Sequence, residues 1–224
     1  MPILSRDDRT EPALAGRARA GEEQKPLAQS RKSAGKREAI LRAAIEIINA
    51  KSFALATMTE IAASLDLRDA TLYYYFSNKQ ALVYACHVRS LERFEALLLA
   101  ADQSAGTGLH KLRGFISHML DDSEKNGPQL YFGDHSYLED AERYAVDCWA
   151  DRLKAILERF VEEGLVDGSI VHCEPQLIVQ LLLGMLIWLG KWVPSVKGLT
   201  VDRLMAAIGT VGLDGLASRA PVHD

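Results

Sequence analysis

Residues 57–82 read TMTEIAASLDLRDATLYYYFSNKQAL, and this stretch decides the fold that we predict for the chain. It carries two helix-start signals, Thr57 followed by Glu60 and Ser77 followed by Gln80. In each signal a hydroxyl side chain can accept from the open backbone amides of a first helical turn, and the later residue can reach back to the cap. The stretch therefore predicts two short helices and the start of a third.

The second short helix is expected to keep one side open. Ile61, Ala62 and Leu65 give the first helix an apolar face, and Leu72 and Phe76 give the second one at the i, i+4 spacing. Two short helices joined by a tight turn bury these faces against each other and a third helix, which leaves the far side of the second helix uncovered. That side carries groups that donate to phosphate or contact base edges, namely Thr71, Tyr73, Tyr74 and Lys79.

Residues 37–82 resemble the DNA-binding domain of the tetracycline-repressor (TetR) family. The resemblance rests on RxxILxAA at residues 37–44, on Phe53, Thr57 and the Ile61-Ala62 pair, and on TLYYYFSNKQAL at residues 71–82. It implies an all-α fold with an N-terminal three-helix helix-turn-helix domain and a C-terminal helical ligand-binding and dimerisation domain. The expected ranges are 1–34 for a disordered basic arm, 35–82 for the DNA-binding domain and 83–224 for the C-terminal domain.

The resemblance also implies a set of DNA contacts. A two-fold dimer would place residues 69–76 of each subunit in a major groove, so that the pair reads a palindromic operator in double-stranded DNA. The expected phosphate contacts are Thr57, Tyr73, Tyr75 and Lys79, and the expected base contacts are Arg68, Thr71 and Tyr74.

Two residues depart from the family pattern at the start of this recognition helix. Arg68 stands where a Ser or Thr usually caps the helix, and Asp69 stands where a Lys is common. Asp69 could act as the cap itself, but an acid this close to DNA repels phosphate unless it reads a cytosine amine. These departures leave open an interaction protein of the same fold whose DNA-binding unit has degenerated.

Charge is distributed unevenly along the 224 residues. The net charge of -4 argues by itself against a nucleic-acid partner. Residues 1–82, however, hold 13 basic against 10 acidic residues, and the rest of the chain holds 13 against 20. A basic N-terminal portion on an acidic body is typical of a protein that contacts DNA at one end. The arm itself is either a solvated tail or a DNA-contacting extension.

The remaining helices are expected from apolar periodicity and stop signals. Gly164 and the Asn126-Gly127-Pro128 turn are the main stops. The expected helices span residues 36–50, 79–102, 109–125, 128–134, 138–163, 175–192 and 201–216.

No feature favours a membrane or secreted protein. Charged residues begin at Arg6, and no secretory signal is recognised. The apolar run at residues 177–193 is interrupted by Gln180, Gly190 and Lys191, so we expect a buried helix instead of a membrane span. The expected location is the cytoplasm, where the three scattered cysteines stay reduced.

The last two helices carry the signal for a homodimer. Both are strongly apolar, and the family resemblance implies that they form a four-helix interface with their symmetry mates. The predicted interface residues are Leu182, Trp188, Leu204, Ile208 and Gly212. The alternative is that both helices complete the monomer core.

The C-terminal domain is expected to hold a small hydrophobic effector between its helices. Candidate contacts are Phe94, Phe115, His118, Tyr131, Trp149 and Met185, with His118 as the polar one and plain core packing as the alternative for each. The WxxxW-x-P pattern at Trp188, followed by Gly198-Leu199-Thr200, resembles a segment of regulators that respond to acyl-CoA thioesters. Drugs, aromatic compounds and other hydrophobic effectors remain alternatives.

Catalytic chemistry is not indicated. The sequence lacks a Gly-rich phosphate loop, a nucleophile elbow and a paired-Cys motif, and it implies no cofactor. His135 and Glu139 have the spacing of a metal pair, but Ser136 is expected to interrupt the helix they would need. We therefore predict a ligand-responsive repressor; a transcriptional activator of the same fold and a helical enzyme remain the alternatives.

Overall fold

The computed structural model describes residues 24–130 and 135–216, with side chains described from residue 31 onward except at position 194. This part of the chain forms an all-α fold, which confirms the predicted fold class. Its α-helices are α1 (Gln24–Lys51), α2 (Met58–Ser64), α3 (Asp69–Tyr75), α4 (Lys79–Asp102), α5 (Gly108–Asn126), α6 (Asp140–Asp167), α7 (Pro175–Trp192) and α8 (Val201–Ile208).

The chain divides into two compact units, Met1–Arg37 and Glu38–Asp224. Of the first unit, the structure describes only the N-terminal part of α1. This helix begins at Gln24, before the start predicted at residue 36, so the end of the predicted disordered arm is helical. The stretch is rich in Ala, Leu, Lys, Gln and Arg, which are good helix formers. The earlier residues of the arm lie outside the described ranges.

Within the second unit, one cluster of buried side chains joins α1, α2, α3 and the start of α4. Ile45, Ile61 and Leu72 are fully buried in it. We call residues 38–86, which contribute nearly all of this cluster, the head. The remaining described residues, 87–130 and 135–216, are called the body.

Side-chain caps begin two helices of the head, α2 and α4. The hydroxyl of Thr57 accepts from the backbone N–H of Glu60 at 3.1 Å, which confirms the first predicted helix start. The second start is displaced by one residue, because Asn78 and not Ser77 caps α4. The Asn78 side chain accepts from the N–H of Ala81 at 2.8 Å. Asn is as good an N-cap as Ser, so the motif alone could not choose between these neighbours.

The body is built from α4 to α8 around a second buried cluster. Two glycines allow close packing in the body. A Cβ on Gly108 of α5 would lie 2.2 Å from the carbonyl oxygen of Phe160 on α6, and one on Gly164 would lie 2.5 Å from the Ile170 side chain. Gly164 therefore serves close packing, and the predicted helix end at this residue is wrong. Helix α6 continues to Asp167 and ends at Gly168, whose φ of +77° suits glycine.

Two further predicted helices differ from the structure. The helix expected at residues 128–134 is absent from its described part, because residues 127–130 are not helical; residues 131–134 lie outside the described ranges. The helix expected to continue to residue 216 leaves α-geometry at Gly209, where a π-helix, Gly209–Leu213, begins. Gly209 and Gly212 weaken α-helical preference there, while Leu213 and Leu216 remain buried.

Helix α7 matches its predicted range and is apolar enough, by length and composition alone, to cross a membrane. Core helices of soluble proteins satisfy the same criterion. One face of α7 packs into the body core through Val179, Leu182, Leu186 and Leu189. We therefore interpret α7 as a core helix with one uncovered face.

Candidate DNA-binding surface and ligand cavity

Helix α3 has one buried face and one exposed face. Leu72 is fully buried and Phe76, at the end of the helix, is 5% exposed. On the opposite face Tyr73 is 50% exposed and Tyr74 is 81% exposed. These two adjacent exposed rings make this face of α3 a candidate contact surface.

The turn between α2 and α3 is fixed by backbone geometry. Asp66 has a φ of +54°, a left-handed conformation that Asp tolerates better than most residues. The N–H of Leu67 then donates to the carbonyl oxygen of Ala62 at 2.9 Å. This short turn sets the direction in which α3 leaves α2.

Asp69 does not cap α3. The helix begins at Asp69 itself, after Arg68, whose side chain makes no capping hydrogen bond and is exposed. One carboxylate oxygen of Asp69 accepts from the hydroxyl of Thr59 at 2.7 Å. Asp69 thus links α2 to the start of α3, where the helix dipole also stabilises a negative charge.

The other predicted DNA contacts differ in their exposure to solvent. Thr57 is exposed, while Thr71, Tyr75 and Lys79 are half-buried. The Tyr75 ring lies edge-on to that of Tyr74, with 5.2 Å between the centroids. All seven predicted contacts thus retain some exposure, and their contacts with DNA remain a prediction.

Lys79 is placed by an aromatic ring. Its Nζ lies 4.2 Å from the centre of the Phe53 ring, and partial burial lowers the pKa of the ammonium group. The Phe53 ring in turn stacks on Tyr137, with 3.9 Å between centroids. Lys79 is therefore held by a cation–π contact at the N-terminus of α4.

A cavity of about 340 Å³ lies in the body. Side chains of α4 to α8 line it, together with Pro128, Gln129 and Leu130. Most of this lining is aliphatic. The polar residues on it are Ser123, Glu124, Gln129, Lys154 and Thr200.

The cavity lining differs from the set predicted from the sequence. Phe94 lines the cavity. Phe115 is fully buried against Phe94, with 4.9 Å between ring centroids, and does not reach the cavity. His118 is exposed, since the buried face of α5 holds Leu112, Phe115, Ile116, Met119 and Leu120 and His118 projects away from it. The prediction of His118 as the polar contact is therefore corrected.

The other predicted ligand contacts also lie away from the lining. Trp149 and Met185 are half-buried and pack on the body core without lining the cavity. Tyr131 lies outside the described residues. Lys154 and Gln129 were missed, because a single Lys on a charged helix and a Gln in a turn give no sequence signal.

The predicted dimer residues divide into two groups. Leu182, Leu204 and Ile208 are at most 8% exposed and belong to the body core, so the predicted role at an interface is corrected for these three. Trp188 is 51% exposed. Gly212 is half-buried, and a Cβ there would meet the end of Met185 at 3.4 Å.

The exposed face of α7 supplies apolar residues that the sequence did not single out. Leu177 is 57% exposed and Leu181 is 71% exposed, and both share a helical face with Gly184 and Trp188. Val211, 79% exposed, lies in the π-helix that follows α8. Solvated monomers rarely leave such a stripe uncovered.

Metal binding finds no support in the described part of the chain, which contains no group of three or more His, Cys, Asp or Glu able to hold an ion. His135 contacts Asp147, with 3.1 Å between Nδ1 and a carboxylate oxygen. Glu139 immediately precedes α6, so the two residues of the considered metal pair do not share a helix.

Family models match both parts of the chain. The model of bacterial regulatory proteins of the tetR family matches residues 40–86. The model of the tetracyclin repressor-like C-terminal domain matches residues 105–216, which is half of the chain. The chain belongs to the TetR family. This TetR-family protein is accordingly a DNA-binding transcription regulator.

Solved structures of other regulators share this fold. AibR in complex with isovaleryl coenzyme A and operator DNA superposes with a TM-score of 0.65 at 23% identity, over 79% of this chain and 97% of AibR. PfmR from Thermus thermophilus superposes with a TM-score of 0.66 at 23% sequence identity, over 79% of this chain and 98% of PfmR. The ketosteroid transcriptional regulator KstR2 of Mycobacterium tuberculosis superposes with a TM-score of 0.70 at 14% sequence identity, over 82% of this chain and 96% of KstR2. No curated protein sequence matches this chain.

Proposed function

We propose that this TetR-family regulator is a cytoplasmic, homodimeric repressor that binds a palindromic operator and releases it when a small apolar molecule occupies the body cavity. The observation that carries the proposal is the two-faced α3, which buries Leu72 and exposes Tyr73 and Tyr74. A helix of this kind after a tight turn is the part of a helix-turn-helix that enters the major groove.

The proposed DNA contacts are based on the positions of the side chains on and around α3. Arg68, Thr71 and Tyr74 are proposed to contact bases, because they lie at or near the start and on the outer face of α3. Thr57, Tyr73, Tyr75 and Lys79 are proposed to contact phosphates and fix the head on the duplex. The head, which includes most of the predicted range 35–82, is the DNA-binding domain in this proposal.

Dimerisation is proposed to use the exposed face of α7. Leu177, Leu181, Gly184 and Trp188 recur at helical spacing, and Gly184 permits close approach of a second helix. Burying this face against a second copy would form an isologous two-fold interface. Two copies of α3 would then be presented together to a palindromic site.

The effector is proposed to be small and largely apolar. The cavity volume of 340 Å³ is near the lower end of the roughly 300–1,000 Å³ usual for ligand pockets. A short acyl chain or a compact hydrophobic ring fits this volume, whereas the nucleotide of an acyl-CoA would have to lie outside it. The complex of AibR with isovaleryl coenzyme A supports this class of effector for the shared fold.

Lys154 gives the cavity wall a positive charge. Its side chain is 38% exposed, and its carboxylate contact, Asp151, is 3.9 Å away. Glu124 adds a negative charge elsewhere on the lining. We propose that Lys154 receives the anionic or carbonyl end of the effector. This chemistry is binding, and the proposal includes no enzymatic step.

The test combines selection and titration. Duplexes selected from a random pool by the full-length protein supply an operator, and fluorescence anisotropy measures its affinity with and without a panel of isovaleryl-CoA, octanoyl-CoA, benzoyl-CoA and benzoate. We expect a palindromic selected sequence and at least one compound that weakens binding about fivefold or more. Selection without a consensus sequence, or an operator affinity unchanged by every compound, would contradict the proposal. A reporter gene behind the operator separates repression from activation.

A further inference from the structure

Residues 127–130, which follow α5, border the cavity and also contact the head; we call them the coupling segment. Pro128, Gln129 and Leu130 line the cavity. Leu130 is 2% exposed and belongs to the buried cluster of the head. One side chain is thus shared by the effector cavity and the core that supports α3.

Helix α4 holds the backbone of the coupling segment. Arg93 donates to the carbonyl oxygen of Gly127 at 2.9 Å and is itself paired with the Asp122 carboxylate. The hydroxyl oxygen of Ser90 accepts from the N–H of Leu130 at 2.9 Å. Charge-assisted and buried hydrogen bonds of this kind fix an irregular segment firmly.

The C-terminus of α1 is attached to the same place. The Asn49 side chain is buried, and its Nδ2 donates to the carbonyl oxygen of Gln129 at 2.8 Å. From the end of α7, Lys191 Nζ donates to the carbonyl oxygens of Asn49 and Ala50, each at 2.9 Å. These are among the last carbonyls of α1, which a helix leaves open for such partners. Gln129 and Gly190 line the cavity next to this attachment.

We propose that the coupling segment and the Asn49–Gln129–Lys191 contacts transmit effector binding from the cavity to α1. This inference rests on the proposed function. An effector that pushes against Gln129, Leu130 or Gly190 moves the atoms to which the end of α1 is bonded. Asn49 and Lys191 are positioning residues in this device, since neither is on the cavity lining.

Movement of α1 reaches the DNA-contacting helix through the head core. Ile40, Ile45 and Ile48 of α1 are buried in the same cluster as Leu72 of α3. Packed cores shift between discrete arrangements instead of deforming smoothly, so a displaced α1 carries α3 with it. This route is additional to any motion of α4.

The first test removes the contacts without touching the cavity lining. In the full-length dimer, Asn49→Ala and Lys191→Met are compared with Lys197→Met, an exposed lysine in the α7–α8 connection. The measured quantity is the coupling factor, the ratio of operator Kd with and without the most active compound of the panel. We expect Asn49→Ala and Lys191→Met to reduce this factor by about fivefold or more. Effector Kd and effector-free operator Kd should stay within about threefold of wild type.

The second test imitates the effector. A Cβ on Gly190 would lie 3.5 Å from Asn49 Nδ2 and 3.8 Å from the Gln129 carbonyl oxygen, which are ordinary contact distances. Gly190→Ala, whose added methyl group fits, is therefore the comparison for Gly190→Leu, which drives a larger side chain between the two partners. We expect effector-free Gly190→Leu to lose about tenfold or more in operator affinity while melting as a folded dimer.

The outcomes separate this inference from the proposed function. If Asn49→Ala and Lys191→Met both keep the wild-type coupling factor, the inference is overturned and the proposed function stands. The same conclusion follows if Gly190→Leu folds and binds operator with the affinity of Gly190→Ala. If Gly190→Leu does not fold, the first test decides. A wild-type protein that no panel compound affects contradicts the proposed function, and the inference falls with it.

Discussion

The ammonium group of Lys79 lies 4.2 Å from the centre of the Phe53 ring, so a residue expected at the DNA backbone is held by an aromatic side chain of the head. The contact limits the conformations of a long, flexible side chain before DNA is bound. Less ordering is then required on binding, which favours a fixed phosphate contact.

Lys79→Met should weaken binding to all DNA sequences equally and reduce the slope of log K against log salt concentration by about one unit. Met keeps an unbranched apolar stem over Phe53 and removes only the charge. Anisotropy titrations at several salt concentrations measure the slope on operator and on random duplex. A loss confined to one operator base pair would show that Lys79 reads sequence and not phosphate.

Opposite faces of α3 should give opposite mutant phenotypes. Leu72→Ala removes a fully buried side chain, and we expect unfolding free energy to fall by about 2–5 kcal/mol. Tyr74→Ala, at a residue 81% exposed, should change stability by no more than about 0.5 kcal/mol. The same substitution should weaken operator binding by about 1–3 kcal/mol. Urea unfolding and anisotropy measure the two quantities; a Tyr74→Ala protein with wild-type operator affinity would remove Tyr74 from the contact set.

Leu181→Glu should dissociate the dimer, because it places a charge in the exposed apolar stripe of α7. The matched control is Val166→Glu on α6, where the residue is 89% exposed and lies outside that stripe. Sedimentation velocity should show monomer for the first variant and dimer for the second. Operator affinity should follow the same division. If both Leu181→Glu and Val166→Glu sediment as dimers, the interface does not use the exposed face of α7.

His87 predicts a dependence of stability on pH. Burial, and secondarily the charge of His135, lower the pKa of His87 from 6.5 to about 3. Between these values the unfolded chain binds a proton that the folded protein excludes, so stability falls as pH drops from about 6.5 toward 3, and no contribution remains above that window. The slope is at most about 1.4 kcal/mol per pH unit for one group. His87→Gln should flatten it in urea unfolding at several pH values.

An exposed histidine provides the control for this experiment. His118→Gln on α5 is the matched substitution, because this side chain is exposed, and its pH dependence is measured alongside that of His87→Gln. Equal slopes in the wild type and in His87→Gln would show that His87 is not the group responsible. The 2.9 Å contact between His87 Nε2 and the Tyr137 hydroxyl is compatible with the neutral imidazole.

The sequence predicted those parts of the fold that depend on local patterns. The cap at Thr57 and the ranges of α4 and α7 follow from hydroxyl spacing, apolar periodicity and proline position, and the structure agrees with them. Gly164 was misread as a stop because its role is contact with Ile170, which is close in space but not visible in the local pattern. Both uses of glycine look alike in a sequence.

The site was less predictable, because periodicity shows that a face is covered without showing what covers it. Leu182 and Leu204 share the apolar pattern expected of an interface, yet they are buried in the body core, and Leu181 next to one of them is exposed. His118 attracted attention by its apolar neighbours, but its direction on α5 takes it into solvent. Gln129 gave no signal because its importance depends on partners far away in the chain.

The central claim is that two copies of α3 read a symmetric operator, and hydroxyl-radical footprinting of the full-length dimer on its selected duplex tests it most directly. We expect two protected half-sites related by two-fold symmetry, with centres about one helical turn or ~34–36 Å apart, and weaker protection of both in Tyr74→Ala at the same protein concentration. A single asymmetric footprint, or protection that persists unchanged in Tyr74→Ala, would contradict the claim.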